Sequence, residues 1–170
     1  MTHRLRDTRE RKGNSTLWHR LRKQMALEQA MLKQLIESHR PLLRKCAISP
    51  PDEIELSALA AAMHAFYNGV ENIFKRVAVE LGEAPLNGET WHRSLLDRMT
   101  KPAADRPAVI STGTAERLAG YLDFRHFFRN AYPFQLKWDR MSDLANGLED
   151  TLAQLDSELG AFLKATADRA

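Results

Sequence analysis

Three observations predict an all-α fold, an up-and-down bundle of four long or medium helices plus a short one. Apolar residues recur every three or four positions over long stretches, no run of alternating residues reads as a strand, and prolines and glycines fall between the periodic stretches. The first helix is predicted from about Thr16 to about His39, with Leu17, Leu21, Met25, Leu32, Leu35 and Leu42 at near-heptad spacing. Pro41, which lacks a backbone donor, is expected to end it or kink it. After Pro50-Pro51, Asp52 followed by Glu55 offers a capping box for a long second helix reaching about Leu81, where Gly82 stops it. Leu59, Met63, Phe66, Val70, Ile73 or Phe74, and Val77 form its buried stripe.

The short third helix is expected from about Glu89 to Met99, with Trp91, Leu95, Leu96 and Met99 apolar. Residues 101–113 hold Pro102 and Pro107 and read as a loop. The fourth helix is expected from about Thr114 to Tyr132, ended by Pro133. The last is expected from about Trp138 to Ala167, with Met141, Leu144, Leu148, Leu152, Leu155, Leu159 and Phe162 in a 3-4 pattern.

At 170 residues and 44% apolar content, the chain suits one globular domain with a real core. A single cysteine, Cys46, rules out an intrachain disulfide and argues for a reducing compartment, where it reads as a small hydrophobe. No stretch is long and apolar enough to span a membrane, so the expected location is cytoplasmic. The net charge is +3, yet residues 1–23 alone carry eight Arg or Lys against Asp7 and Glu10. Residues 1–15 are accordingly expected to be a basic, flexible arm, with a break at Gly13-Asn14-Ser15, and 16–170 the single helical domain. Such an arm either adds affinity for phosphates or is a solvated leader.

The usual catalytic signatures are missing from the sequence. The glycines are scattered and make no phosphate loop, and His3, His19, His39, His64, His92 and His126 share no metal-ligand spacing, so neither metal nor cofactor is expected. Polar sets remain at helical spacing. On the second helix, His64, Asn68, Glu71 and Lys75 form a row beside Tyr67, either a site or a solvated face with Glu71 and Lys75 as an ion pair. His92 follows an anchoring Trp91, either functional or simply at the surface.

Densest is Phe124-Arg125-His126-Phe127-Phe128-Arg129-Asn130-Ala131-Tyr132. Leu118, Tyr121, Leu122, Phe124, Phe127 and Phe128 suffice to dock this helix, leaving Arg125, His126, Arg129 and Asn130 over. Two arginines one turn apart repel unless a phosphate or a carboxylate of a neighbouring helix lies between them.

This stretch resembles the motif of the HEPN superfamily, in particular the HepT-like toxins: Arg, four residues, His, one residue, Tyr. Arg125 and Tyr132 match, and Asn130 stands where the His is expected. Ala65-Phe66-Tyr67-Asn68-Gly69-Val70-Glu71, then Trp91-His92 with Leu95-Leu96, resembles the same family, over about residues 20 to 165.

The resemblance implies the toxin of a toxin–antitoxin pair: a homodimer whose motifs meet in one cleft and cleave RNA without metal. Arg125 would stabilise phosphate charge, with His126 and Asn130 at the catalytic centre and Arg129, Glu71 and His92 binding substrate. A nucleotidyltransferase-type antitoxin would neutralise it by binding or by attaching AMP to Tyr132, though Pro133 directly after departs from the usual pattern. Asn130 cannot move protons at neutral pH. Either His126 or His92 does so, or the chain binds RNA or nucleotide without cutting, or Asn130 is an inactivating replacement of His. Outside the family, a non-catalytic helical protein-interaction module or antitoxin-like scaffold is the competing reading.

Overall fold

The computed structural model describes residues 2–103 and 106–166, with side chains from residue 15 onward. Six α-helices and one 3-10 turn make up the bundle, with no strand among the described residues: α1 (Thr2–Cys46), α2 (Glu53–Glu80), α3 (Trp91–Met99), α4 (Thr112–Phe128), the turn Pro133–Gln135, α5 (Trp138–Asn146) and α6 (Leu148–Ala165). The central helix is α2. Along it pack α1, α3, α4, α5 and the 3-10 turn, while α6 lies against α1, α4 and α5.

Each boundary has a local cause. Asp52 and Glu55 form the expected capping box, each side chain bonding the other's backbone N–H, and Gly82 takes a positive φ of 66° just after α2. Ser111 caps α4 and shares Glu158 of α6 with Thr114, which ties the start of α4 to the last helix. The loop before α4 is held by buried Arg106, whose guanidinium pairs with Glu83 and bonds the carbonyls of Arg98, Lys101 and Pro107.

Four expectations are corrected. α1 continues through Gly13-Asn14-Ser15 and through Pro41 to Cys46. An isolated Gly costs a helix only ~1 kcal/mol, and Ile36, Leu43 and Cys46 are buried on both sides of Pro41, so packing outweighs the lost bond. Its buried stripe is Trp18, Leu21, Met25, Leu32, Ile36 and Leu43, shifted by one residue from the expected Leu17, Leu35 and Leu42, which are only partly buried. α4 ends at Phe128, a turn before Pro133, because Arg129 to Ala131 close the helix with turn hydrogen bonds. The last helix is two helices, broken at Gly147, where the Tyr121 hydroxyl donates to the carbonyl of Leu144 at 2.7 Å. The basic side chains of residues 1–14 lie outside the described residues; of the rest, Arg20 pairs with Glu80 at 2.6 Å.

Cys46 is buried, as expected, and its thiol is pushed up by burial. No described helix is long and apolar enough to cross a membrane.

Candidate functional site

Three helices bring polar side chains to one place. α2 buries Leu59, Met63, Phe66, Val70, Ile73 and Val77 and thereby turns the flank bearing His64, Asn68, Glu71 and Lys75 toward α3 and α4. Helix α3 is anchored by Leu95, Leu96 and Met99, which sets Trp91 and His92 beside that flank. The last turn of α4 supplies Arg125 and His126, with Phe124 and Phe128 ring-stacked beneath at 5.9 Å.

Glu71 is the hub. It is 2% exposed, and its carboxylate pairs with Lys75 Nζ at 2.9 Å, with Arg125 Nη2 at 3.8 Å, and with Nδ1 of His92 in a short hydrogen bond. Burial alone would raise its pKa, but the hydrogen bonds from Lys75 and His92 prevail and hold the carboxyl below the usual range. The predicted ion pair with Lys75 therefore forms, on a face that is buried at Glu71 and not solvated.

His92 is fixed on two sides, one of them an indole that is itself held by a cation. Its Nδ1 is taken by Glu71, its ring lies 3.7 Å from that of Trp91, and Lys75 sits 4.7 Å over the same indole. That arrangement leaves Nε2 as the nitrogen free to exchange a proton. The His126 ring meets it edge-on, 5.4 Å away.

Arg125 donates from Nε to Asn68 Oδ1 at 2.6 Å, and its buried Nη1 has no hydrogen-bond partner among the described residues. A buried guanidinium with an unmet donor suits an anionic oxygen. The His126 imidazole is held below its ordinary pKa by burial first, then by His92 and Arg125. His64, against Phe128 at 5.2 Å, is lowered by burial and by Arg125 and Arg129. Desolvation and the Arg125 charge thus act in the same direction on both imidazoles.

The geometry gathers Glu71, His92, Arg125 and His126, keeps Arg129 near enough to act electrostatically on His64 and His126, and leaves Asn130 and Tyr132 at the surface. Arg129 is exposed and forms no ion pair or hydrogen bond from its side chain among the described residues. Asn130 is exposed, and its amide bonds the backbone carbonyl of His126 at 3.3 Å. Tyr132 has left the helix; it is extended, 66% exposed and stacked on Phe134 at 5.5 Å.

Asn68 is the residue that reasoning from sequence did not assign a role, although it stood four residues after His64 on the right face. Only the tertiary partner Arg125 reveals what its amide does. Gly69 beside it has a second cause: a Cβ there would lie 2.6 Å from Leu32 Cδ2, so its absence lets α1 approach α2. Among the described residues no group of three or more His, Cys, Asp or Glu side chains could hold a metal ion.

Residues 58–166 match the protein family described as HepT-like protein, a span that contains α3 to α6, nearly all of α2 and every candidate site residue. No curated protein and no solved structure matches the chain.

Proposed function

The chain belongs to the HepT-like family, a HEPN-type toxin family whose members are typically one half of a toxin–antitoxin pair, and from that premise we propose that it is an endoribonuclease working without metal. One observation carries the reading. Two imidazoles, His92 and His126, lie 5.4 Å apart beside a buried arginine with a free donor, and a carboxylate orients one of them. Those are the parts that transesterification of RNA requires.

In the proposed reaction the ribose 2′-oxygen attacks the adjacent phosphorus and the 5′-oxygen leaves. His126, whose pKa is lowered by partial desolvation and then by His92 and Arg125, takes the 2′-hydroxyl proton. The Nε2–H of a His92 held by Glu71 gives a proton to the leaving oxygen. Arg125 meets the charge that builds on the non-bridging oxygens with the part of its guanidinium that reaches the surface. The products are a 2′,3′-cyclic phosphate and a 5′-hydroxyl. Asn130, which cannot titrate, holds the turn that follows His126, while exposed Arg129 attracts the neighbouring phosphate.

A second copy of the chain would complete the cleft with its own Arg125 and His126, and a nucleotidyltransferase-type antitoxin would silence it. Tyr132 is accessible for AMP attachment, being exposed and outside the helix. Arg125→Ala separates this reading from a non-catalytic module. The enzyme loses RNA cleavage with its dimer intact, whereas a scaffold that uses Arg125 for assembly loses the dimer and never cleaved RNA.

A further inference from the structure

Where α4 ends, the chain exposes aromatic rings on a locked turn. Tyr132 and Phe134 are 66% and 75% exposed, and their rings are parallel within 6° at 5.5 Å. The turn that bears them is rigid: Gln135 N donates to Tyr132 O at 2.9 Å, its side-chain oxygen accepts from Tyr132 N at 2.6 Å, Pro133 fixes φ, and Leu136 is buried as an anchor. The rings wall a mostly apolar groove of about 730 Å³, lined also by Ile54 and Trp138 and carrying one cation, Lys137, and one carboxylate, Glu53. That volume lies in the range of sites that hold small ring systems.

We propose that this groove is a stacking subsite for an unpaired nucleobase of the RNA strand, a few nucleotides from the one being cut. The inference rests on the ribonuclease reading above. Preformed parallel rings take up a flat base at little entropic cost, and stacking is the contact single-stranded RNA makes most readily. Lys137 sits where a strand leaving the groove carries its phosphate. The groove also continues the site. Its wall residue Ser57 lies on the same α2 flank as His64 and Asn68, at i, i+7 and i+11, so the groove starts about 10 Å along the helix from His64. Along α2, His64, in ring contact with Phe128, lies between Ser57 of the groove and Asn68, which accepts from Arg125.

A short single-stranded RNA with a 2′-deoxy block at the cleavage position, carrying 2-aminopurine at each nearby position in turn, tests this directly. The wild-type chain should quench 2-aminopurine at one position. Phe134→Ala should abolish that quench and weaken binding about 5- to 150-fold, the range for losing one base–aromatic stack. Phe134→Trp should restore both, and an abasic site at the quenched position should make wild type and Phe134→Ala bind alike. Quenching and affinity unchanged in Phe134→Ala, with cleavage of unblocked RNA by wild type intact, overturn the subsite and leave the ribonuclease reading standing. No RNA binding and no cleavage by wild type overturn both.

Discussion

Replacing Glu71 by Gln removes one buried charge and keeps the side chain's shape, so its consequences isolate the hub. Glu71 is 2% exposed and faces Arg125 at 3.8 Å and Lys75 at 2.9 Å. At an effective dielectric of about 20, a unit pair at that first distance attracts by roughly 4 kcal/mol. Part of this only offsets the desolvation of the carboxylate. Lys75, 44% exposed, turns to water when its partner goes, so its share is small. Arg125 keeps Asn68 but stays buried with its charge uncompensated. The expected net loss is about 2–3 kcal/mol, or roughly 4–12 °C in Tm for a chain of this size. Urea unfolding at fixed protein concentration reads it. In a double-mutant cycle with Arg125→Met the two changes should couple by about 1–3 kcal/mol. Because His92 also loses the group that orients it, kcat should fall by about 100-fold or more. A loss below ~0.5 kcal/mol with no coupling to Arg125 would refute the hub.

Three further outcomes follow from other contacts. Since burial, His92 and Arg125 lower the His126 pKa, the acid limb of kcat/KM should fall below the ordinary histidine value of about 6.5 and move up toward it in Arg125→Ala wherever residual rate is measurable; a wild-type limb at or above that value contradicts the assignment of His126 as base. Burial raises the Glu158 pKa, but hydrogen bonds from Gln154, Ser111 and Thr114 outweigh it and depress the carboxyl. Its stabilisation is therefore present above the ordinary carboxylate pKa of about 4.3 and lost as pH falls through the folded value, so Glu158→Gln should flatten the acid side of a Tm-against-pH curve. Tyr121→Phe removes the donor to the Leu144 carbonyl at the α5–α6 break and should cost about 1–2 kcal/mol by urea unfolding, with RNA cleavage unchanged.

The fold was legible wherever periodicity and caps agreed. Asp52 and Glu55 announced α2, Gly82 marked its end, and the stripe from Leu59 to Val77 is buried as its spacing requires. Misplaced boundaries lay where tertiary contacts decide. Pro41 reads as a stop or a kink, but α1 continues through it with Ile36 buried before it and Leu43 and Cys46 after it; Gly147 reads as an ordinary helical residue until Tyr121 is seen bonding the carbonyl of Leu144 beside it. Within the site, Arg125, His126, Glu71 and His92 were legible because polar groups at helical spacing stood out beside ample apolar surface. Their mutual distances were not, since Glu71 and His92 lie 21 residues apart and only the packing of α3 on α2 joins them. The motif reading also kept Tyr132 on the helix, whereas the turn of Arg129 to Ala131 carries it to a separate groove.

The most direct test of the central claim is end-group analysis of RNA incubated with the unaltered chain in excess chelator. The account predicts cleavage leaving 2′,3′-cyclic phosphate and 5′-hydroxyl ends, lost in both His92→Ala and His126→Ala. No cleavage by the unaltered chain, together with cleavage newly acquired in Asn130→His, would contradict it, because His92 and His126 would then be insufficient for the proton transfers assigned to them.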